Sequence, residues 1–300
     1  MDCRVALAQI DPTLGNLHAN LDLHLAQADE AAARGADMLL FPEMSLTGYF
    51  LKDQVADVAR SLGEANEIEE LAKRSKDLSL GVGFVERDRD GRLYNAYAFL
   101  EDGEIKSVHR KVHLVTYGMF EESRDIAPGD AFVPFDSKHG RVGVLVCEDM
   151  WHISSGYIHF LNGVDALLIP SASPGRGVTE TDGEMRSARV WNTMLEAASL
   201  WFQTWVVYVN RVGVEDGITF GGGSRVIDPD GRTPAKLDIL EVGMADARMT
   251  SEALQRARLA TPLRRDEKPW LVSRAIMTAE SRSAIEVLKR EAQRKPEPQS

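Results

Sequence analysis

Residues 3–43, CRVALAQIDPTLGNLHANLDLHLAQADEAAARGADMLLFPE, read as strand, helix, strand. Val5 to Ile10 is a short apolar run. Asn16 offers a helix cap, Leu21, Leu25, Ala28 and Ala32 recur at helical spacing, and Gly35 is a stop signal. Met38 to Phe41 is a second apolar run, ended by Pro42. A unit of this length predicts two parallel strands joined by a helical crossover, which places the chain in the α/β class.

The pattern continues outward. A helix is expected over 64–78, with Ile68, Leu71, Ala72 and Leu78 on one face, and a strand from Leu80 to Val85. The DRDG turn at 88–91 and the EDGE turn at 101–104 mark strands at 93–100 and 105–109, so the sheet is mixed rather than purely parallel. Further apolar strands are expected at 142–146, 166–169 and 206–209, with a long helix over 184–202 and a last hairpin at DPDG, 228–231. Residues 251–295 read as charged helix broken near Pro262 and Pro269, and RKPEPQS at 294–300 as disordered. The expected organisation is one domain over 1–250 and an extension over 251–300.

Composition narrows the function. Of 300 residues, 44% are hydrophobic and 27% charged, which excludes a collagen-like or wholly disordered chain. The 46 acidic residues outnumber 35 basic ones, and a net charge of −11 repels phosphate backbones, so no nucleic-acid partner is expected. No apolar run approaches the ~18 residues of a membrane span. MDCRVALAQI at the N-terminus lacks the apolar core of a signal peptide. Two cysteines, Cys3 and Cys147, form no disulfide framework, so a reducing cytoplasm is the expected location.

Several chemistries drop out. His109 and His113 stand four apart without an HExxH motif, so no metal is expected. GVGFVE at 81–86 has two of the three glycines of a dinucleotide loop, there is no P-loop, and GGGSR at 221–225 has the wrong spacing for a nucleophile elbow. No cofactor is expected.

Three segments remain: FPEMSLTGY at 41–49, HRKVHLVTYGMFEE at 109–122 and VLVCEDMWH at 144–152. In each a strand delivers one reactive side chain at its end, Glu43, Lys111 or Cys147, the runs before Glu43 and Cys147 being apolar and the strand around Lys111 basic-flanked. Singly, these are most often a solvated carboxylate, a surface amine and a small buried hydrophobe. Together they form a complete set for acyl transfer. Cys147 would attack the carbon of an amide or nitrile. Glu43 would take the thiol proton and pass it to the leaving ammonia. Lys111 would stabilise the oxyanion, aided by a backbone N–H after Cys147. A second glutamate near Lys111 would hold its ammonium.

At these residues the chain resembles the nitrilase superfamily of carbon–nitrogen hydrolases over roughly 4–250. The resemblance implies a four-layer α-β-β-α sandwich, with Glu43 as general base, Lys111 as oxyanion-stabilising lysine, Cys147 as nucleophile and Glu122 as the family's second glutamate. VVYVNRVG at 206–213 and GGGSRVIDPDG at 221–231 resemble the family's late strands. CEDMW at 147–151 and HLVTYGMFEE at 113–122 resemble the glutaminase domains of glutamine-dependent NAD synthetases, in which Tyr117 matches a pocket tyrosine. The ATP-pyrophosphatase motif SGGxDS is absent from the 300 residues. The implied protein is a stand-alone amidase acting on a small linear carboxamide, or a glutaminase subunit with a separate partner. N-carbamoyl amines and nitriles are alternative substrates, although Glu148 follows Cys147 where true nitrilases typically carry Trp. One departure is the helix before VVYVNRVG, where Ala198 to Phe202 replaces the Arg-Ala-x-Glu-Asn run of many amidases.

Glu148, Trp151, Ser171 and Ser173 are further candidates for the substrate pocket, whose expected loops are 44–62, 112–130 and 171–183. Asp149 is expected to orient the loop after Cys147, and Met44 and Phe120 fit either pocket or core. Arg176 and Arg186 could bind a substrate carboxylate but are read as solvated surface positions, and Cys3 is read as inert. The family habit of pairing through helices and C-terminal segments implies a homodimer using 251–295.

Overall fold

The computed structural model describes residues 1–177 and 185–293. The expected disordered end at 294–300 lies outside the described residues, as do 178–183 of the expected pocket loop. Met1–Thr261 form one compact unit, and a second begins at Pro262. The first unit therefore runs past residue 250, because the helix Ser251–Ala260 buries Ala253, Leu254 and Ala257 in its core.

In chain order the strands are β1 (Cys3–Gln9), β2 (Met38–Leu40), β3 (Ser79–Arg87), β4 (Leu93–Glu101), β5 (Glu104–Arg110), β6 (Phe135–Ser137), β7 (Gly140–Val144), β8 (Ala166–Ser171), β9 (Trp205–Asn210), β10 (Val214–Glu215), β11 (Ile218–Thr219), β12 (Arg225–Ile227), β13 (Ala235–Lys236) and β14 (Gly243–Met249). One sheet has the order β14-β1-β2-β3-β4-β5 and the other β13-β12-β9-β8-β7-β6, while β10 and β11 form a separate hairpin. The crossover read from residues 3–43 is present: Val5 pairs with Met38 in parallel register. The antiparallel pairs β3–β4 and β4–β5 make the sheet mixed, as the two turns predict.

Alternation along the strands produces the layers. Val5, Leu7, Met38 and Leu40 face a core shared with Val144, Leu168, Val207 and Val209 of the second sheet. Ala6, Ala8 and Leu39 face the opposite way, against the helices Leu17–Ala33 and Glu67–Arg74. Leu167, Ile169 and Val206 face the helices Ile153–Leu161 and Arg186–Phe202. The result is four layers, helix–sheet–sheet–helix. Strand β14 has no counterpart among the sequence expectations, because GMADARM carries small and charged residues rather than a bulky apolar run.

Asn16 caps the first helix as expected, its side chain accepting from Ala19 N at 3.1 Å. The second helix is shorter than 64–78. It starts after Asn66, which accepts from Ile68 N at 3.0 Å, and stops at Arg74, where Ser75 Oγ donates back to Ala72 O at 2.7 Å. Beyond Thr261 the helices Leu263–Asp266 and Pro269–Gln293 begin just after Pro262 and at Pro269, the two expected breaks. No helix of the described residues is long and apolar enough to cross a membrane.

Two buried histidines give this fold a pH-dependent stability. His24 Nδ1 donates to Asn20 O at 2.6 Å, which leaves Nε2 to accept from Ser45 Oγ at 2.9 Å. Burial lowers the pKa of His24 to about 4, and that of His159 likewise to about 4. An unfolded imidazole protonates near its ordinary value of 6.5, so the native state is penalised as pH falls from there to about 4. Each shift corresponds to on the order of 3 kcal/mol. Thermal unfolding should therefore show Tm falling across this window, and His24→Gln should flatten part of the slope; an unchanged slope in that variant would contradict the assignment to His24.

Candidate active site

Glu43 follows β2, Lys111 follows β5 and Cys147 follows β7, so the first sheet supplies the acid and the amine and the second supplies the thiol. The Glu43 segment lies directly against β3. A Cβ on Gly83 would fall 2.3 Å from Met44 N and 2.5 Å from Pro42 O. GVGFVE is therefore a strand whose Gly83 admits a neighbouring backbone rather than a phosphate loop, and Leu46 N bonds Gly83 O at 2.9 Å.

Lys111 is buried and its Nζ donates to Glu43 Oε1 and to Glu122 Oε1, both at 2.8 Å. Glu43 Oε1 also accepts from Asn95 Nδ2 at 2.8 Å, and Oε2 accepts from Ala172 N at 2.7 Å. Glu122 Oε1 accepts from Tyr49 OH at 2.6 Å, and Oε2 from Val115 N at 2.9 Å. Two carboxylates thus share one ammonium in a dry setting. Burial pushes the Glu43 carboxyl above its ordinary range, with the Lys111 charge opposing the shift. Lys111 lies well above its ordinary range: Glu122 and Glu43 outweigh the burial that opposes them, and the ammonium stays charged. The Tyr49 phenol, raised first by burial, stays protonated and remains a donor.

Cys147 opens a short 3-10 turn, Cys147–Trp151, at φ 46°, in the left-handed region that non-glycine residues rarely adopt. The thiol side chain packs at the margin of both core clusters of the second sheet. Burial raises the thiol pKa well above its ordinary value, Glu43 adds to the rise and Lys111 opposes it. The sulfur is therefore held as a neutral thiol. Asp149, buried, braces the corner: Oδ2 accepts from Val146 N at 3.1 Å and pairs with His109 Nε2 at 2.9 Å. Its Oδ1 accepts from Val112 N at 3.1 Å and His113 N at 2.9 Å. One carboxylate thus ties the Cys147 turn to the chain leaving Lys111.

Around this centre, Tyr117 OH donates to Glu148, 3.0 Å from each carboxylate oxygen. Glu148 is buried, and burial raises its pKa, while Tyr117, exposed over much of its surface, is pushed up to about 12 by partial desolvation and the Glu148 charge. Trp151 is exposed and meets Trp191 edge-on at 5.7 Å. Ser173 Oγ accepts from Trp191 Nε1 at 2.7 Å, and Ser173 N donates to Asn210 Oδ1 at 2.8 Å. Ser171 is fully buried at the end of β8. Arg186 is exposed, as expected. Arg176 differs from its surface reading: its guanidinium lies 5.2 Å from the Phe120 ring centre, with Nε and Nη2 buried and unpartnered. Met44 and Phe120 line a cavity of about 300 Å³ together with Tyr49, Phe50 and Glu122. Cys3 is buried, which pushes its thiol to about 12. Among the described residues no group of three His, Cys, Asp or Glu side chains is arranged to hold a metal ion.

Sequence reasoning did not find Tyr49 or Asn95. Tyr49 is positioned by a buried ion pair: Arg211 binds Glu215 Oε1, and Glu215 Oε2 accepts from Tyr49 N and Phe50 N, both at 2.9 Å. The signal for it was the charged NRVG of 210–213 directly after an apolar strand. Asn95 was legible only as one polar residue in the apolar run of β4.

A family model described as carbon-nitrogen hydrolase matches residues 4–259. The glutamine-dependent NAD(+) synthetase of Thermotoga maritima is 32% identical over 269 residues, covering 87% of this chain and 44% of that protein. The glutamine-dependent NAD+ synthetase of Acinetobacter baumannii, solved with ADP, matches with a TM-score of 0.75 at 27% identity, over 85% of this chain and 47% of that one. Nit3 of Saccharomyces cerevisiae, a nitrilase superfamily member, matches with a TM-score of 0.75 at 25% identity, over 87% and 95%. The chain spans less than half the length of the two NAD synthetases. The two-sheet, four-layer fold and a family match running almost the whole length of the first unit lead to the same conclusion: this chain belongs to the carbon–nitrogen hydrolase family of the nitrilase superfamily.

Proposed function

We propose that the protein is an amidase that hydrolyses a small linear carboxamide to acid and ammonia through a thioester on Cys147. The observation that carries this reading is the Lys111 ammonium held between Glu43 and Glu122, with all three charges felt by the Cys147 thiol.

The steps follow from these positions. Cys147 Sγ attacks the amide carbon while Glu43 takes the thiol proton. The carbonyl oxygen becomes an oxyanion, and two of the three Lys111 N–H bonds are engaged by carboxylates, leaving one for that oxygen. Glu43 then returns its proton to the leaving nitrogen, the C–N bond breaks, ammonia departs and the acyl group remains on sulfur. Water attacks the thioester with Glu43 again as base, and the carboxylic acid and free thiol are released. The ammonium and both carboxyl groups stay buried throughout, so little reorganisation accompanies the charge that develops on oxygen.

The surroundings favour an amide whose far end is charged. Glu148, with Tyr117, is an acceptor suited to a substrate ammonium, and the unpaired N–H groups of Arg176 suit a carboxylate. An amino-acid ω-amide carries both, and the relatives named glutamine-dependent agree with that choice. Those relatives also favour a second reading with the same chemistry, in which the ammonia passes to a partner protein.

The test is ammonia release from a panel of glutamine, asparagine, α-ketoglutaramate, short aliphatic amides and N-carbamoyl amino acids. Turnover of an ω-amide above the aliphatic amides supports the reading. Carbon dioxide released with the ammonia would transfer it to carbamoyl substrates. Inertness towards the whole panel would contradict a self-sufficient amidase.

A further inference from the structure

Asn95 lies in β4 opposite Val85 of β3, and its carbonyl accepts Lys111 N at 2.8 Å. Its side chain turns to the same place: Nδ2 donates to Glu43 Oε1 at 2.8 Å and lies 3.5 Å from Glu122 Oε1. These are the two oxygens that Lys111 Nζ contacts at 2.8 Å. Two donors, one charged and one neutral, therefore bridge the same pair of carboxylate oxygens. The amide orientation follows from chemistry, since turning Oδ1 inward would set three acceptors against one another. Oδ1 has no hydrogen-bond partner among the described residues, although it is buried. An unpaired buried carbonyl costs free energy. Asn95 bears that cost while its amide nitrogen serves the carboxylates.

We propose that Asn95 is a positioning residue of the reaction, which keeps the Glu43 carboxylate available as proton acceptor for Cys147 by donating to Oε1 without adding charge. The proposal rests on the reading of Glu43 as general base. Glu43, Lys111 and Glu122 together carry one net negative charge in a buried site, a setting that favours uptake of a proton. Burial and Glu122 push the Glu43 carboxyl upward, while Lys111 and the Asn95 hydrogen bond act in the opposite direction. The other titratable groups facing the cluster are the Tyr49 and Tyr208 phenols, the Cys147 thiol and Glu148, whose charge interacts directly with Lys111 and Glu122. Without the Asn95 donor, Glu43 should hold its proton to higher pH and lose the base form over part of the working range.

Alkylation of Cys147 by iodoacetamide tests this without any substrate. Sγ displaces iodide, the S–C bond forms as C–I breaks, and the thiol proton goes to Glu43, so the rate falls on the acid side when Glu43 is already protonated. Modification is read at the Cys147 peptide by mass spectrometry, with buried Cys3 as an internal reference. In Asn95→Leu the acid limb should move about one pH unit upward, a roughly tenfold slower reaction below the limb. In Asn95→Asp, a third carboxylate should move it further in the same direction. Thermal unfolding reports whether each variant folds, and either folded variant suffices. Lost packing alone would lower the rate at every pH and leave the limb in place, and that result would overturn the proposal. Glu43→Gln separates the two levels. If it abolishes the limb while both Asn95 variants leave the limb unmoved, the role of Asn95 alone falls. If the limb persists in Glu43→Gln, the base assignment falls and the Asn95 proposal with it.

Discussion

Replacing Cys147 by alanine is expected to lower kcat/KM for the preferred amide by more than about 10⁴-fold, since removal of a covalent nucleophile is among the largest single losses an enzyme can suffer. Cys3, the other cysteine, lies in the buried core beside Val5 and Leu7, so it cannot substitute. The variant should nonetheless fold normally. Alanine keeps the Cβ that already tolerates φ 46°, so the backbone strain at the corner is unchanged. The Asp149 contacts to Val146, Val112 and His113 do not involve the sulfur. Ammonia release and thermal unfolding measured on the same preparation check both halves. Retained turnover would remove Cys147 from the mechanism, and a collapsed Tm would show that its role is structural.

Lys111→Met should produce the second large effect, on stability as well as activity. The substitution keeps length and removes the charge, leaving Glu43 and Glu122 buried without their shared cation. Breaking a buried ion pair from one side costs about 3–5 kcal/mol. The two carboxylates then repel, and one takes up a proton in the range where it should act as base. Activity should fall by at least about 10³-fold, because oxyanion stabilisation and base are lost together. The sign of the pH dependence is distinctive. With the cation gone, the folded-state pKa of Glu43, already above its ordinary value, rises further, so the variant is most stable at low pH and loses additional stability as pH rises through the raised value. Tm of the variant relative to the parent should therefore deteriorate from pH 5 to pH 8. A constant difference across that range would contradict the shared-ammonium account.

Much of this site was legible in the sequence because its parts stand where core strands end. An apolar run followed by Pro42–Glu43 or by Cys147–Glu148 announces both the strand and the residue it delivers, while Lys111 follows the polar strand EIKSVHR, marked by the EDGE turn before it. The hairpins were legible for a different reason: DRDG and DPDG place Asp and Gly where a turn needs them, and Gly231 adopts φ 84°. What stayed hidden was set by tertiary contact. Nothing local to Asn95 says that its amide will meet Glu43, 52 residues away, and Tyr49 reaches Glu122 across 73. Asp149 was read as a brace for the Cys147 turn, but its bonds to Val112 and His113 depend on how two sheets face each other. Arg176 reads as surface because a charged residue beside glycines usually is; its packing over Phe120 comes from a separate loop. Strand β14 is identified by its partner β1, with Cys3 opposite Met249, rather than by its own composition.

The central claim is a covalent acyl-enzyme on Cys147, and the most direct measurement is the mass of the protein quenched by acid during turnover of the best amide in the panel. The account predicts an added mass equal to the substrate acyl group, mapped to the peptide containing Cys147, absent in Cys147→Ala and discharged by added hydroxylamine. Steady turnover with no acyl mass under any quench time, or an acyl group mapped to another residue, would contradict it.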